Sequence, residues 1–72
     1  MGNYITVQVT RVPGAMKTIT LEQGATVRDA LAIAEVELSQ GYEVRVDDEI
    51  ATVDTVLEDG AVVVLSKMIK GN

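Results

Sequence analysis

An α+β architecture is what this sequence predicts: one mixed sheet of four to five strands, with a single helix packed on one face. Three features predict it. The chain opens with apolar and polar residues alternating at period two, interrupted by a Pro-Gly pair. A middle segment then switches to helical spacing. The last segment carries an apolar run on both faces that suits a central strand flanked on each side.

The elements follow in order. In residues 4–12, Ile5, Val7 and Val9 share one face, and Tyr4, Thr6, Gln8 and Thr10 share the other. Period two with β-branched residues is the signature of a half-buried strand. Pro13-Gly14 forms the turn, because proline presets φ and glycine accepts positive φ. Residues 16–21 resume the alternation with Ile19 and Leu21 facing in, so the two strands make a hairpin. Gln23-Gly24-Ala25 ends the second strand. Thr26 is the expected helix N-cap, with Asp29 placed to meet free backbone N–H groups of the first turn. Val27, Ala30, Leu31, Ala34 and Leu38 form the apolar stripe, Ile33 and Val36 lie off it, and Gly41 is the expected stop.

Residues 43–46 read as a short strand with Val44 and Val46 on one face. Asp47-Asp48 is the following tight turn, and residues 49–51 a brief return strand. Residues 52–57 are irregular, with Val53, Val56 and Leu57 as candidates to plug the open end of the core. Asp59-Gly60 makes a turn into the last strand, residues 61–69. Its first five residues are apolar on both faces, which suits a central position. The first and last strands can lie side by side only if they run parallel. That arrangement, strand-strand-helix-strand-strand-strand with the last strand in the middle, is a β-grasp. The whole chain, 1–72, is one such domain, with residues 69–72 as a short tail.

Composition narrows the function. The 72 residues are 47% hydrophobic and carry no cysteine and no histidine. No disulfide or cysteine-based metal site is therefore available, and the commonest general base, metal ligand and pH switch are all missing. Formal net charge is -5, from 11 acids against 6 bases. Phosphate backbones and anionic membranes are bound by clustered Lys and Arg, so neither nucleic acid nor a membrane is an expected partner. The natural complement is a basic protein groove. The longest apolar run, Ala61 to Leu65, is far too short to span a bilayer. The opening Met-Gly-Asn-Tyr-Ile lacks the basic and apolar regions of a signal peptide, and a cytoplasmic protein is expected.

Three stretches resemble the ThiS/MoaD sulfur-carrier family of ubiquitin-like proteins. Residues 24–31, Gly-Ala-Thr-Val-Arg-Asp-Ala-Leu, are similar to the family's G-x-T-V-x-x-L-L at the start of its helix. Residues 44–50, Val-Arg-Val-Asp-Asp-Glu-Ile, are similar to its V-x-V-N-x-x-x-V strand and turn. Residues 57–65, Leu-Glu-Asp-Gly-Ala-Val-Val-Val-Leu, are similar to its L-x-D-G-D-x-V-x-(I/L) turn and final strand. The resemblance covers nearly the whole chain. It implies a carrier that is not itself an enzyme and needs no cofactor. It also implies a protein partner, a ThiF- or MoeB-like activating enzyme or a synthase.

The resemblance directs attention to the tail, Lys70-Gly71-Asn72. Family members end there in Gly-Gly. That tail threads extended into the activating enzyme's narrow channel, where its carboxylate attacks the α-phosphate of ATP. Gly71 matches the first glycine and Asn72 replaces the second. A Cβ at that position adds bulk where the channel closes. The asparagine amide could also cyclise onto its own activated carboxylate. Asn72 thus argues against thiocarboxylate chemistry and for an interaction module that kept the fold.

Other constellations offer less. Asp47-Asp48-Glu49 are consecutive, without the alternating ligand spacing of a calcium loop, and read as a solvated turn rather than a metal site. Gly24-Ala25-Thr26 lacks the Lys and Ser/Thr of a phosphate-binding loop. No catalytic residue is assigned. The expected working surface is the uncovered sheet face. If Val63 and Leu65 face the helix, Val62, Val64 and Met68 project the other way, beside Thr6, Gln8 and Arg45. An apolar cluster of this type on an open face marks a docking patch.

Overall fold

A computed structural model describes residues 2–12, 14, 16–36 and 41–67. The elements are β1 (Tyr4–Val12), β2 (Met16–Glu22), α1 (Val27–Ala34), β3 (Tyr42–Val46), β4 (Glu49–Ala51) and β5 (Val62–Lys67). They form a five-stranded sheet in the order β2-β1-β5-β3-β4. β1 and β5 are parallel neighbours, and the other pairs are antiparallel. This is the β-grasp that the sequence predicts.

The core follows from the two periodicities. Ile5, Val7 and Val9 of β1, Leu21 of β2, Val44 of β3 and Val63 and Leu65 of β5 point to one side of the sheet. Val27, Ala30, Leu31 and Ala34 of α1 meet them there. Each fully buried Val or Leu contributes about 1.5–3 kcal/mol. A sheet of this width is not covered by one helix. The segment 52–57 closes the remaining side, strapped to the start of α1 by its backbone: Val27 N–H donates to Thr55 O (3.0 Å), Arg28 N–H to Val53 O (2.9 Å), and Leu57 N–H to Ala25 O (2.8 Å).

Of the three residues expected to plug that side, Leu57 is buried and Val53 is packed against the core, whereas Val56 is exposed. The reason is the extended bridge between Val56 and Thr26: neighbours on extended backbone alternate in direction, so Leu57 inward puts Val56 outward.

The helix also differs from expectation. It ends at Ala34, after eight residues, with Glu35 in the left-handed region at φ 59°. Glu35 N–H donates to Ala32 O (3.3 Å) and Val36 N–H to Leu31 O (3.0 Å), closing the last turn. Lys17 of β2 donates its Nζ to Ala34 O at 2.6 Å, so the helix receives its C-terminal cation from the sheet. Val36, expected off the stripe, is half-buried against the core as the chain turns back. Leu38, expected on the stripe, lies outside the described residues. Gly41, expected as the stop, instead leads into β3 at φ 88°.

Candidate docking surface

The open face is built by the strand register. Residues directly paired across a sheet point the same way. Val62 lies opposite Gln8. Val64 lies between Thr10 on β1 and Arg45 on β3. Thr10 pairs onward with Met16, and Arg45 with Ile50. One row, Met16–Thr10–Val64–Arg45–Ile50, therefore crosses all five strands on the face away from the helix. Thr6 lies at the near end of the same face, where Gly60 N–H donates to its carbonyl (2.8 Å).

Exposure along the row rises toward the edges. Val62 and Val64 are half-buried by their neighbours, while Met16 is 59% and Ile50 74% exposed. Tyr4 and Val12, even-numbered positions of β1, share this face and are exposed too. Of the six large apolar side chains most exposed among the described residues, four thus gather on one face; Ile33 and Val56 are elsewhere. The Arg45 guanidinium is paired with Glu43, two residues back on the same side of β3. Met68 and the tail residues Lys70, Gly71 and Asn72 lie outside the described residues.

Ile50, Met16 and Val12 are missing from the sequence-based patch, although a signal for Ile50 existed. A two-residue turn at Asp47-Asp48 pairs Val46 with Glu49 and so sets Ile50 opposite Arg45. For Val12 parity along β1 was signal enough, and for Met16 parity along β2 with Ile19 and Leu21 inward; only the pairing of Met16 with Thr10 depends on the Pro13-Gly14 turn.

The acids expected as a solvated turn have a sharper role. Asp47 and Asp48 both take positive φ, 53° and 72°, which makes a tight turn matched to sheet twist. Asp47 Oδ1 accepts from Val62 N–H (3.1 Å), and Asp47 N–H donates to Val62 O (3.0 Å). Asp59 Oδ1 accepts from Thr6 N–H at 2.8 Å. The two carboxylates pin the start of β5 and the start of β1. Among the described residues no group of three acids, histidines or cysteines could hold a metal ion. The helix N-terminus is likewise occupied. Val27 and Arg28 give their N–H groups to the 52–57 segment, and Thr26 N–H donates to Asp29 Oδ2 (3.1 Å). A phosphate would have to displace these bonds. No helix among the described residues is long and apolar enough to cross a membrane.

No family model matches the chain, and no curated protein matches it in sequence. Solved structures do match. SAMP1 from Haloferax volcanii superposes with a TM-score of 0.75 at 16% identity, over 93% of this chain and 99% of that one. A structure described as molecular mimicry of SUMO that promotes DNA repair superposes at 0.60 and 14% identity, over 86% and 89%. A ubiquitin from Caldiarchaeum subterraneum superposes at 0.56 and 15% identity, over 97% and 100%. At such identities the likeness is one of fold. The chain has the ubiquitin-like β-grasp fold.

Proposed function

We propose that this chain is a small ThiS/MoaD-like protein that works by docking the open face of its sheet on a partner protein. The carrying observation is the gathering of exposed apolar side chains on that face, Met16 and Ile50 at the ends of the row centred on Val64 and Tyr4 and Val12 beside it. Val62, Val64, Met68 and Arg45 form the contact, Ile50 and Met16 extend it, and the tail Lys70-Gly71-Asn72 reaches the partner's active centre. The partner is a ThiF- or MoeB-like activating enzyme or a synthase. Net charge of -5 suits a basic groove on that partner.

The identity of residue 72 separates two versions of this reading. A sulfur carrier is adenylated at its terminal carboxylate, with pyrophosphate leaving, and then takes up sulfur. A pure interaction module docks without either step. Asn72 in the register of the second glycine favours the module. The test is to incubate the 72-residue protein with ATP and such an activating enzyme and weigh it by mass spectrometry. We expect no adenylate and no sulfur on the native chain, and adenylation of Asn72→Gly. Adding Val64→Asp to Asn72→Gly should abolish it by breaking the docked face. A thiocarboxylate on the native protein would overturn the module. An Asn72→Gly protein that stays unmodified would limit the resemblance to the fold.

A further inference from the structure

Aspartate or asparagine precedes glycine once in this chain, at Asp59-Gly60. Such a pair is chemically labile, because glycine has no side chain to hinder attack of its backbone nitrogen on the neighbouring carboxyl. In water Gly60 N gives up its proton and attacks Asp59 Cγ. The hydroxyl of the protonated carboxyl leaves as water, and a succinimide ring results. Water then opens the ring. Addition at Cγ breaks the Cγ–N bond and restores aspartate. Addition at the main-chain carbonyl carbon breaks its bond to N and leaves an isoaspartyl link, in which the backbone runs through Cβ and Cγ. One water is lost and one regained, so the mass does not change.

In the folded chain both reacting groups are engaged, and by the same residue. Asp59 Oδ1 accepts from Thr6 N–H at 2.8 Å, and Gly60 N–H donates to Thr6 O at 2.8 Å. The turn itself is closed by Ala61 N–H donating to Glu58 O (3.0 Å). Gly60 has φ 86° and Asp59 does not share the positive sign, the signature of a type II turn with Asp59 at ψ of about +120°. Ring closure needs Gly60 N eclipsed with Cβ of Asp59, which this ψ does not allow. Burial plays no part, since Asp59 and Gly60 are both exposed. We propose that Asp59-Gly60 is an isoaspartate-forming site, locked in the folded chain by Thr6 and unlocked when this turn opens. The product cannot restore the lock. Its backbone is one atom longer and its carboxylate sits on Cα, so the two Thr6 bonds cannot both be kept. The next bond along, Gln8 N–H to Ala61 O (3.0 Å), joins β1 to the entry of β5, and that junction is loosened in every modified chain. The modification is thus a lasting record of local opening. It does not depend on the docking reading.

The test follows isoaspartate formation at neutral pH in the 72-residue protein and in a capped Leu-Glu-Asp-Gly-Ala-Val peptide. After unfolding, loss of cleavage at residue 59 by an aspartate-specific endoproteinase, at constant mass, reads the product. The folded protein should react about tenfold or more slowly than the peptide, and urea below the melt should speed it in step with opening. Asp59→Asn supplies a second readout, because ring closure then releases ammonia and hydrolysis raises the mass. It keeps an acceptor for Thr6 N–H and should be slowed against its own peptide in the same way. The isoaspartyl protein, once separated, should show shifted amide signals at Thr6 and Gln8. A folded rate equal to the peptide's would overturn the proposal, as would a slow rate indifferent to urea. Unchanged Thr6 and Gln8 signals in the isoaspartyl protein would also overturn it, since the lock would have survived.

Discussion

Along β5, four consecutive residues of similar chemistry have opposite duties. Val63 and Leu65 are fully buried between sheet and helix. Val62 and Val64, one position away, lie half-buried on the face that the helix does not cover. The difference lies wholly in strand parity, since a β-strand sends successive side chains to opposite faces. An apolar residue on a central strand is therefore not evidence of a core position until the covering layer is known. On one face of this sheet the apolar residues supply folding energy, and on the other they stay partly open to solvent.

The strongest challenge to that division is truncation on both faces. Leu65→Ala should destabilise by about 2–5 kcal/mol, much of what a domain of this size possesses. Val64→Ala should cost under about 1 kcal/mol, because a half-buried methyl pair leaves no enclosed cavity. Urea melts of the two variants measure the contrast. Comparable losses would mean that the open face is packed against something and is not a free surface.

A subtler challenge is to the devices that set the parity. A slip of one residue would exchange the faces of β5 entirely. Two carboxylates oppose such a slip, Asp47 on the Val62 N–H and Asp59 on the Thr6 N–H. Asp59→Ala should cost about 1–2 kcal/mol, since the Thr6 donor loses its charged acceptor. Asp59→Asn retains an acceptor and should recover about half of that loss. If both variants melt with the native protein, register is held by side-chain packing alone.

Much of this was legible in the residues, and the gaps have physical causes. The strand order, the central parallel β5 and the core face follow from periodicity and from the dense run at Ala61–Leu65. Val62 and Val64 on the open face, with Gln8 and Arg45 beside them, follow from parity once Leu65 is assigned inward. The short helix was not legible. Nothing about Glu35 advertises a left-handed cap, because glutamate has no local reason to adopt positive φ. Its position is imposed by tertiary contacts, including the Lys17 bond to Ala34 O. The clamps were half-legible. Asp-Asp and Asp-Gly announce turns, but which distant N–H each carboxylate meets depends on the assembled sheet. The full width of the row across the open face needs cross-strand register, which the sequence supplies at the Asp47-Asp48 turn and not at Pro13-Gly14.

The smallest expected effect concerns that Asp47-Asp48 turn, because it places Ile50 at the end of the row across the open face. Both residues sit at positive φ, and both would gain backbone ease as glycine. They are not equivalent. The Asp47 carboxylate accepts from Val62 N–H, so glycine there relieves φ but discards a clamp. Among the described residues the Asp48 side chain makes no hydrogen bond or ion pair, and Asp-Gly is the preferred pair for this turn. Asp48→Gly should therefore stabilise by about 0.5 kcal/mol, the left-handed relief less the added chain entropy of glycine. Asp47→Gly should be neutral or destabilising despite the similar φ. Amide shifts of Val64, Arg45 and Ile50 should be unchanged in Asp48→Gly, since the register is the same. A loss of stability in Asp48→Gly would show that the turn is held by its carboxylate rather than strained by its Cβ. Shifts along the row would show that the turn sets more of the open face than Ile50 alone.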